Sequence, residues 1–390
     1  NMPSTRTNTL YFTFASIAQK VISFAYFTVV ARSLGVSLIG QYVFILTFTT
    51  LFSVFADFGL APAINREIAQ AGSRENRISV QKLISGALSI KLVLCAFSFG
   101  LCLAVARLSG YKEHTLLLIF VSGITMVLDS IHLLFYSVFR GLKDLRFESF
   151  GVIGSQFLTL LMGSMALMFS KSLTPLILAF TISSFFNVFY SSVLLYKKHK
   201  IIPFPEFDII SIKYILRKAF SFGTAGIFSR MFSSLDSILI SRMAGNAELG
   251  LYSVPNKIAF AFQFIPTALT AAVFPAMSAE YAKGTMAAVR SMFIQSTRYL
   301  AAVAFPVAFG IIALAQNIAV DIYGKDFFQS IVPMQFLMVA MIAGFLGYPV
   351  GAALNACNKQ NIQTTLMGVT VILNIALNLV LISMFGATGA

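Results

Sequence analysis

Charge is scarce in this chain. Only 11% of its 390 residues are Asp, Glu, Lys or Arg, under half of the roughly 25% usual in a soluble domain, which excludes a water-exposed globular enzyme. Acidic residues are the scarcer sign, 14 against 28 Lys and Arg. Polar runs are short too: none between two apolar stretches exceeds about 22 residues, which leaves no room for a folded catalytic domain outside a membrane. Cysteine is nearly absent, and Cys95, Cys102 and Cys357 show neither metal-ligand spacing nor a disulfide framework. No metal and no cofactor is therefore expected. No glycosylation sequon occurs, and the first apolar run, starting near Thr9, has the length of a span rather than of a cleavable leader.

What the chain has instead is apolar length. Hydrophobic residues make up 58% of it, and the mean hydropathy is +0.84. Eleven stretches long enough to cross about 30 Å of hydrocarbon as helices can be drawn, at residues 9–31, 39–60, 83–106, 115–139, 149–170, 173–196, 219–241, 249–275, 291–315, 331–353 and 361–385. The expected fold class is all-α, a polytopic membrane protein. Of the Lys and Arg residues, 17 fall on the side of the N-terminus and 6 on the other. The positive-inside rule puts the N-terminus in the cytoplasm, makes the net charge of +14 mostly topological and removes the case for nucleic acid.

Residues 197–218, basic at both ends and carrying two prolines, are the longest connection. Ile210, Ile212, Tyr214 and Ile215 among Lys213, Arg217 and Lys218 suit an amphipathic helix on an anionic cytoplasmic leaflet. This segment is expected to link an N-terminal six-helix lobe, residues 1–196, to a C-terminal lobe, residues 219–390. An internal repeat agrees: Arg32, Gly35, Gly40 and Tyr42 recur at an offset of 210 as Arg242, Gly245, Gly250 and Tyr252, and Lys20 recurs as Arg230. Six spans separate the copies, so the halves are expected to be parallel repeats about an axis along the membrane normal. A twelfth span is then owed where the chain ends, and the C-terminal lobe is expected to be incomplete.

Charges inside apolar spans cost about 2.5–3.5 kcal/mol each on insertion scales and mark function or pairing. There are five such cations, Lys20, Lys91, Arg230, Lys257 and Arg298, and three carboxylates, Asp57, Asp129 and Asp236. The surplus cations are candidates for an anionic substrate group; the carboxylates are candidates for ion pairing or for a coupling proton or Na⁺. Thr9, Thr13, Ser16, Lys20 and Ser23 share one helix face, as do Gly223, Gly226, Arg230, Ser233 and Ser237. Such stripes suit a cavity, with Ser16, Ser23, Asn187, Ser233, Asn374 and Asn378 as polar lining. Thr50, Ser53 and Asp57 form a further stripe, and His132 lies one turn after Asp129. Six of the eleven prolines, Pro255, Pro266, Pro275, Pro306, Pro333 and Pro349, fall in the eighth to tenth spans and invite kinks there.

Ala56-Asp57-Phe58-Gly59-Leu60, Asn65-Arg66-Glu67-Ile68-Ala69, Phe139-Arg140-Gly141, Phe385-Gly386-Ala387 and the glycine motif around Gly35 and Gly40 resemble the polysaccharide-transporter branch of the multidrug/oligosaccharidyl-lipid/polysaccharide exporter superfamily. The resemblance implies two six-helix lobes with a cationic cavity between them, opening alternately to either side of a bacterial inner membrane. The implied substrate is an undecaprenyl-pyrophosphate oligosaccharide, such as an O-antigen repeat unit, and polymerase or assembly proteins are the implied partners. The surplus of two intramembrane cations suits a pyrophosphate. The alternatives are an H⁺- or Na⁺-coupled multidrug exporter, against which Lys20 and the cation excess count, and a flippase for the peptidoglycan-precursor lipid. A membrane glycosyltransferase is disfavoured by outer loops of at most about 15 residues, and a major facilitator transporter by the absence of its loop motif after the second span.

Overall fold

A computed structural model describes residues 5–71 and 77–390; within its helices the side chains of residues 5–10, 71, 77–79, 209–211, 221, 222, 224, 225 and 229 are outside that description. Thr9 of the first polar stripe and Ile210 of the basic segment are among those left out. The described residues are helical apart from short connections, with no strand among them. In chain order the α-helices are α1 (Thr5–Leu34), α2 (Val36–Asp57), α3 (Leu60–Ala71), α4 (Arg77–Leu108), α5 (Glu113–Gly141), α6 (Leu145–Phe169), α7 (Leu173–His199), α8 (Ile209–Met243), α9 (Asn246–Phe262), α10 (Phe264–Ala282), α11 (Met286–Asn317), α12 (Ile331–Ala356) and α13 (Gln360–Phe385). Among the described residues ten helical stretches are long and apolar enough to span a membrane. The protein is a multi-pass membrane protein of the all-α class. The remaining sequence-drawn span, 219–241, lies in α8, where Arg230 and Asp236 dilute the apolar run.

The helices sort into two compact units. The N-terminal unit comprises Asn1–Ser33 and Ile45–Ser234, and the C-terminal unit comprises Leu34–Phe44 and Leu235–Ala390. The first third of α2 thus packs with the C-terminal unit.

In the N-terminal unit the resembling motifs meet physically. Phe58 and Gly59 both take positive φ, +41° and +76°, and so break the chain between α2 and α3; a non-glycine residue there is uncommon and marks a constrained turn. The α3 helix was not foreseen as a separate element. It lays Leu60, Ile64 and Ile68 against Ile84, Leu88, Leu134, Phe139, Leu195 and Ile215, a dry cluster at one end of the unit. Gly141 is needed at this crossing, because a Cβ on it would lie 2.7 Å from the Ile68 Cβ and 3.0 Å from the Asn65 carbonyl oxygen. Arg140 forms a two-pronged ion pair with Glu148, which is almost wholly buried. Glu67 accepts a hydrogen bond from the Tyr214 hydroxyl and lies 3.7 Å from Lys218 Nζ.

Between α7 and α8 only residues 200–208 are non-helical. Lys200, with φ +57°, ends α7 in a left-handed cap, and the Ile201 N–H reaches back to the Leu195 carbonyl. Lys213, Tyr214, Arg217 and Lys218 belong to the first turns of the 35-residue α8.

In the C-terminal unit the two copies of the sequence repeat pack on one another. A Cβ on Gly40 would sit 1.7 Å from the Asn246 carbonyl oxygen, and a Cβ on Gly250 would sit 1.9 Å from the Val36 carbonyl oxygen. Val36 and Asn246 are equivalent across the offset of 210, as are Gly40 and Gly250. The first turns of α2 and α9 therefore cross with pseudo-two-fold reciprocity, backbone against backbone. In lipid, where burial from water drives little helix association, such close approach is a main source of packing energy. Of the six prolines, Pro266 follows the one break in this region, at Gln263 between α9 and α10, whereas α9, α10, α11 and α12 run unbroken through Pro255, Pro275, Pro306 and Pro349. Pro333 sits in the first turn of α12, where its missing N–H costs nothing.

The crossing makes a sharp prediction. Gly40→Ala and Gly250→Ala force backbone apart and are expected to destabilise the protein by about 1–3 kcal/mol or more, read as a fall in apparent Tm in detergent. Gly310→Ala, in α11 with nothing within 4 Å of the new Cβ, is expected to leave it unchanged or raise it.

Candidate functional site

The N-terminal unit encloses a cavity of about 440 Å³, within the roughly 300–1,000 Å³ of small-ligand sites. Its polar lining comes from three helices: Thr49, Thr50, Ser53 and Asp57 from α2, Ser122, Thr125, Asp129 and Ser130 from α5, and Arg230 from α8, with Phe58, Met126, Leu133 and Phe180 among the apolar wall. Each set follows helical spacing, so one face of each helix is polar toward the same space. Gly223 and Gly226 bring α8 close. The Cβ of an alanine at 223 would meet the Phe58 carbonyl oxygen at 3.0 Å.

Lys91, expected among the cations offered to substrate, is not among the residues lining this cavity. It is wholly buried, and its ammonium pairs with Asp57 at the C-terminal end of α2. A lysine there without a partner would be prohibitively costly in low dielectric, so its charge is met by the carboxylate. Arg230 is exposed on the cavity wall, and among the described residues no carboxylate lies within ion-pair distance of it. Asp57 contributes a favourable longer-range field.

Asp129 opens on the cavity, its side chain 52% exposed, and accepts a hydrogen bond of 2.5 Å from the Ser184 hydroxyl of α7. His132 Nδ1 stands 3.5 Å from the same carboxylate, beyond hydrogen-bond range, and the His132 ring meets Tyr136 edge-on. Asn187 is buried behind this layer, accepting a 2.7 Å hydrogen bond from the Tyr136 hydroxyl. Thr49 shares a 2.7 Å hydrogen bond with Ser122, and Thr125 a 2.8 Å one with Thr181. These bonds tie α2, α5 and α7 into one scaffold and fix the cavity wall.

The other expected site residues lie elsewhere. Lys20 is half-buried on α1 with Ser16 and Ser23, while Phe14 and Val21 on the opposite face are exposed. Ser233 donates to the Arg230 carbonyl at 3.1 Å. In the C-terminal unit Asp236 accepts a 2.7 Å hydrogen bond from Asn378. Lys257 is half-buried and Arg298 exposed in the same unit. No group of three His, Cys, Asp or Glu side chains suited to a metal occurs among the described residues. The α5 hydroxyls were overlooked in the sequence although the spacing of Ser122, Thr125, Asp129 and Ser130 carries the same signal as that of Thr50, Ser53 and Asp57.

The sequence pattern of the polysaccharide biosynthesis protein family matches residues 5–280. This chain belongs to that family. It is 21% identical to the "Probable low-salt glycan biosynthesis flippase Agl15" of Haloferax volcanii over 96% of this chain and 77% of that protein. Its fold matches an inward-facing multidrug resistance MATE transporter of the MOP superfamily at a TM-score of 0.77, with 12% identity, covering 95% of this chain and 89% of the other. It also matches the lipid II flippase MurJ in an inward closed conformation at 0.74, with 15% identity and coverage of 97% and 83%. At such identities the likeness is one of fold alone.

The buried pair yields the test of this geometry. Lys91→Met and Asp57→Asn, made singly, each leave one polar partner uncompensated and are expected to cost about 3–5 kcal/mol. The double variant is expected to recover most of that loss in chemical denaturation. Equal, additive losses would show that the two side chains do not depend on each other.

Proposed function

We propose that this chain is a flippase that carries a lipid-linked glycan between membrane leaflets, with the polar cavity of the N-terminal unit receiving the head group. The observation that carries this reading is the composition of the cavity wall: hydroxyls from two helices, the Asp129 carboxylate open to the space, and one arginine with no carboxylate within ion-pair distance among the described residues. Hydroxyls and a carboxylate suit the vicinal diols of sugars. A guanidinium presents a planar donor fork to a phosphate oxygen pair. Membership of the polysaccharide biosynthesis family and likeness to a glycan biosynthesis flippase support the same reading, and a transporter rather than an enzyme is what both favour.

In finer detail the substrate is an undecaprenyl-pyrophosphate oligosaccharide, of the O-antigen or another surface-polysaccharide type, in a bacterial inner membrane with the N-terminus cytoplasmic. Its head group passes by alternating access while the polyprenyl tail stays in lipid. Arg230 is the principal phosphate contact. Lys20, Lys257 and Arg298 serve later positions along the route, and polysaccharide polymerase or assembly proteins receive the product. Asp129, with Ser184 and His132 beside it, and Asp236, held by Asn378, are the sites at which a proton or Na⁺ would couple to transport.

The deciding experiment is reconstitution in liposomes with translocation of a pyrophosphate-linked oligosaccharide lipid. Wild type is expected to move it, Arg230→Ala to lose at least tenfold in rate, and Arg230→Lys to retain a substantial part. Wild type that moves no such lipid but exports a cationic dye would replace this reading with a multidrug exporter.

A further inference from the structure

The connection between α7 and α8 is an extended strap, residues 200–208, laid along α4. Gln81 clamps Ile202 from both sides, its Nε2 donating to the Ile202 carbonyl at 2.6 Å and its Oε1 accepting from the Ile202 N–H at 3.0 Å. One and two turns further along α4, the Glu206 N–H donates to the Ser85 carbonyl at 3.4 Å, and the Ser89 hydroxyl donates to the Glu206 carbonyl at 2.7 Å. Ser85 and Ser89 are wholly buried beneath the strap.

Every backbone N–H from Ile201 to Glu206 has a partner within the protein. The Ile201 N–H goes to Leu195, that of Ile202 to Gln81, that of Phe204 to the Ile202 carbonyl and that of Glu206 to Ser85, while Pro203 and Pro205 have none to place. A solvated loop has no need of this, since water satisfies free N–H groups. Non-helical backbone at the margin of a bilayer does need it, because an unmet donor there has no partner.

The outward side of the strap matches that environment. Ile202, Phe204 and Phe207 are 56%, 67% and 70% exposed. Lys197, Lys198 and Lys200 are exposed just before it, Lys213 and Arg217 just after, and Glu206 and Asp208 supply the opposing charges. The 197–218 segment as a whole carries six cations against these two carboxylates. At 32 residues α4 is about 48 Å long, well beyond the ~30 Å hydrocarbon layer, so it has the length to carry the turns that hold the strap to an interface.

We propose that residues 200–208 are a membrane-inserted strap, with Ile202, Phe204 and Phe207 seated in the interfacial layer of an anionic phospholipid leaflet and Lys197, Lys198 and Lys200 holding its head-group phosphates. The inserting element is thus the extended connection itself, with the basic turns of α8 beside it. This inference uses only the membrane-spanning architecture and stands apart from the identity of the transported substrate.

The chain contains no tryptophan, so Phe204→Trp and Phe207→Trp each introduce a single fluorescent reporter at an exposed position. The full chain is reconstituted in vesicles of phosphatidylcholine with phosphatidylglycerol, either lipid being brominated near the head-group end of its acyl chains. The expected result is blue-shifted emission, quenched by brominated lipid and protected from aqueous acrylamide. Quenching by brominated phosphatidylglycerol is expected to exceed that by brominated phosphatidylcholine, and Lys197→Gln/Lys198→Gln/Lys200→Gln to abolish the difference. Emission at the aqueous position with free access to acrylamide would overturn the proposal and leave a solvated loop. Blue-shifted emission shielded from both quenchers would overturn it in favour of a contact with a second copy of the chain. Equal quenching by the two lipids in the unmodified sequence would remove the anionic head group from it.

Discussion

A charge buried in a helical membrane protein must be answered by another, and the Asp57–Lys91 pair is where this chain meets that demand most directly. Asp57 ends α2 at the turn made by Phe58 and Gly59, so the pair fixes the point where α2 gives way to α3 and ties it to the middle of α4. From that anchor α3 extends into the apolar cluster with α4, α5, α7 and α8. The pair also consumes one anion and one cation of the cavity region at once. What remains facing the space is Arg230 on one side and Asp129 on the other, an arrangement suited to a ligand with both anionic and hydroxyl character.

The surrounding packing is built on close approach of small residues. Gly141 under Ile68, Gly151 under the Tyr136 hydroxyl and Gly163 under the Tyr26 hydroxyl each occupy positions where a Cβ would collide with a neighbour. The reciprocal crossing of Gly40 and Gly250 does the same for the C-terminal unit. Of the motif glycines, Gly40, Gly141 and Gly250 are thus close contacts that a Cβ would disrupt.

Much of this was legible in the residues because membrane helices obey few rules. Apolar length marks the spans, and the offset of 210 pairing Gly40 with Gly250 foretold two like elements that turn out to touch. The spacing of Thr50, Ser53 and Asp57 put them on one face, and all three line the cavity. What was illegible is partnership. Periodicity says that Lys91 points inward but not that Asp57, 34 residues earlier, lies opposite it. Nor does it say that Asn187 accepts from Tyr136, or that Asn378 serves Asp236. The α3 helix escaped notice because Phe58 and Gly59 read as the end of an apolar run. In the basic segment the spacing of Ile210, Ile212, Tyr214 and Ile215 marks the helical half, which forms the first turns of α8, but it does not show that the half with Pro203 and Pro205 lies extended against α4.

The account rests on Arg230 acting as the anion contact of the cavity. Equilibrium binding to purified protein in nanodiscs, using a short-chain pyrophosphate-linked sugar and the same sugar without phosphate, addresses this without depending on transport. The account predicts that the pyrophosphate compound binds at least tenfold more tightly than the neutral sugar and that Arg230→Gln erases the difference. Equal affinity for the two ligands, or a phosphate preference that survives in Arg230→Gln, would contradict it.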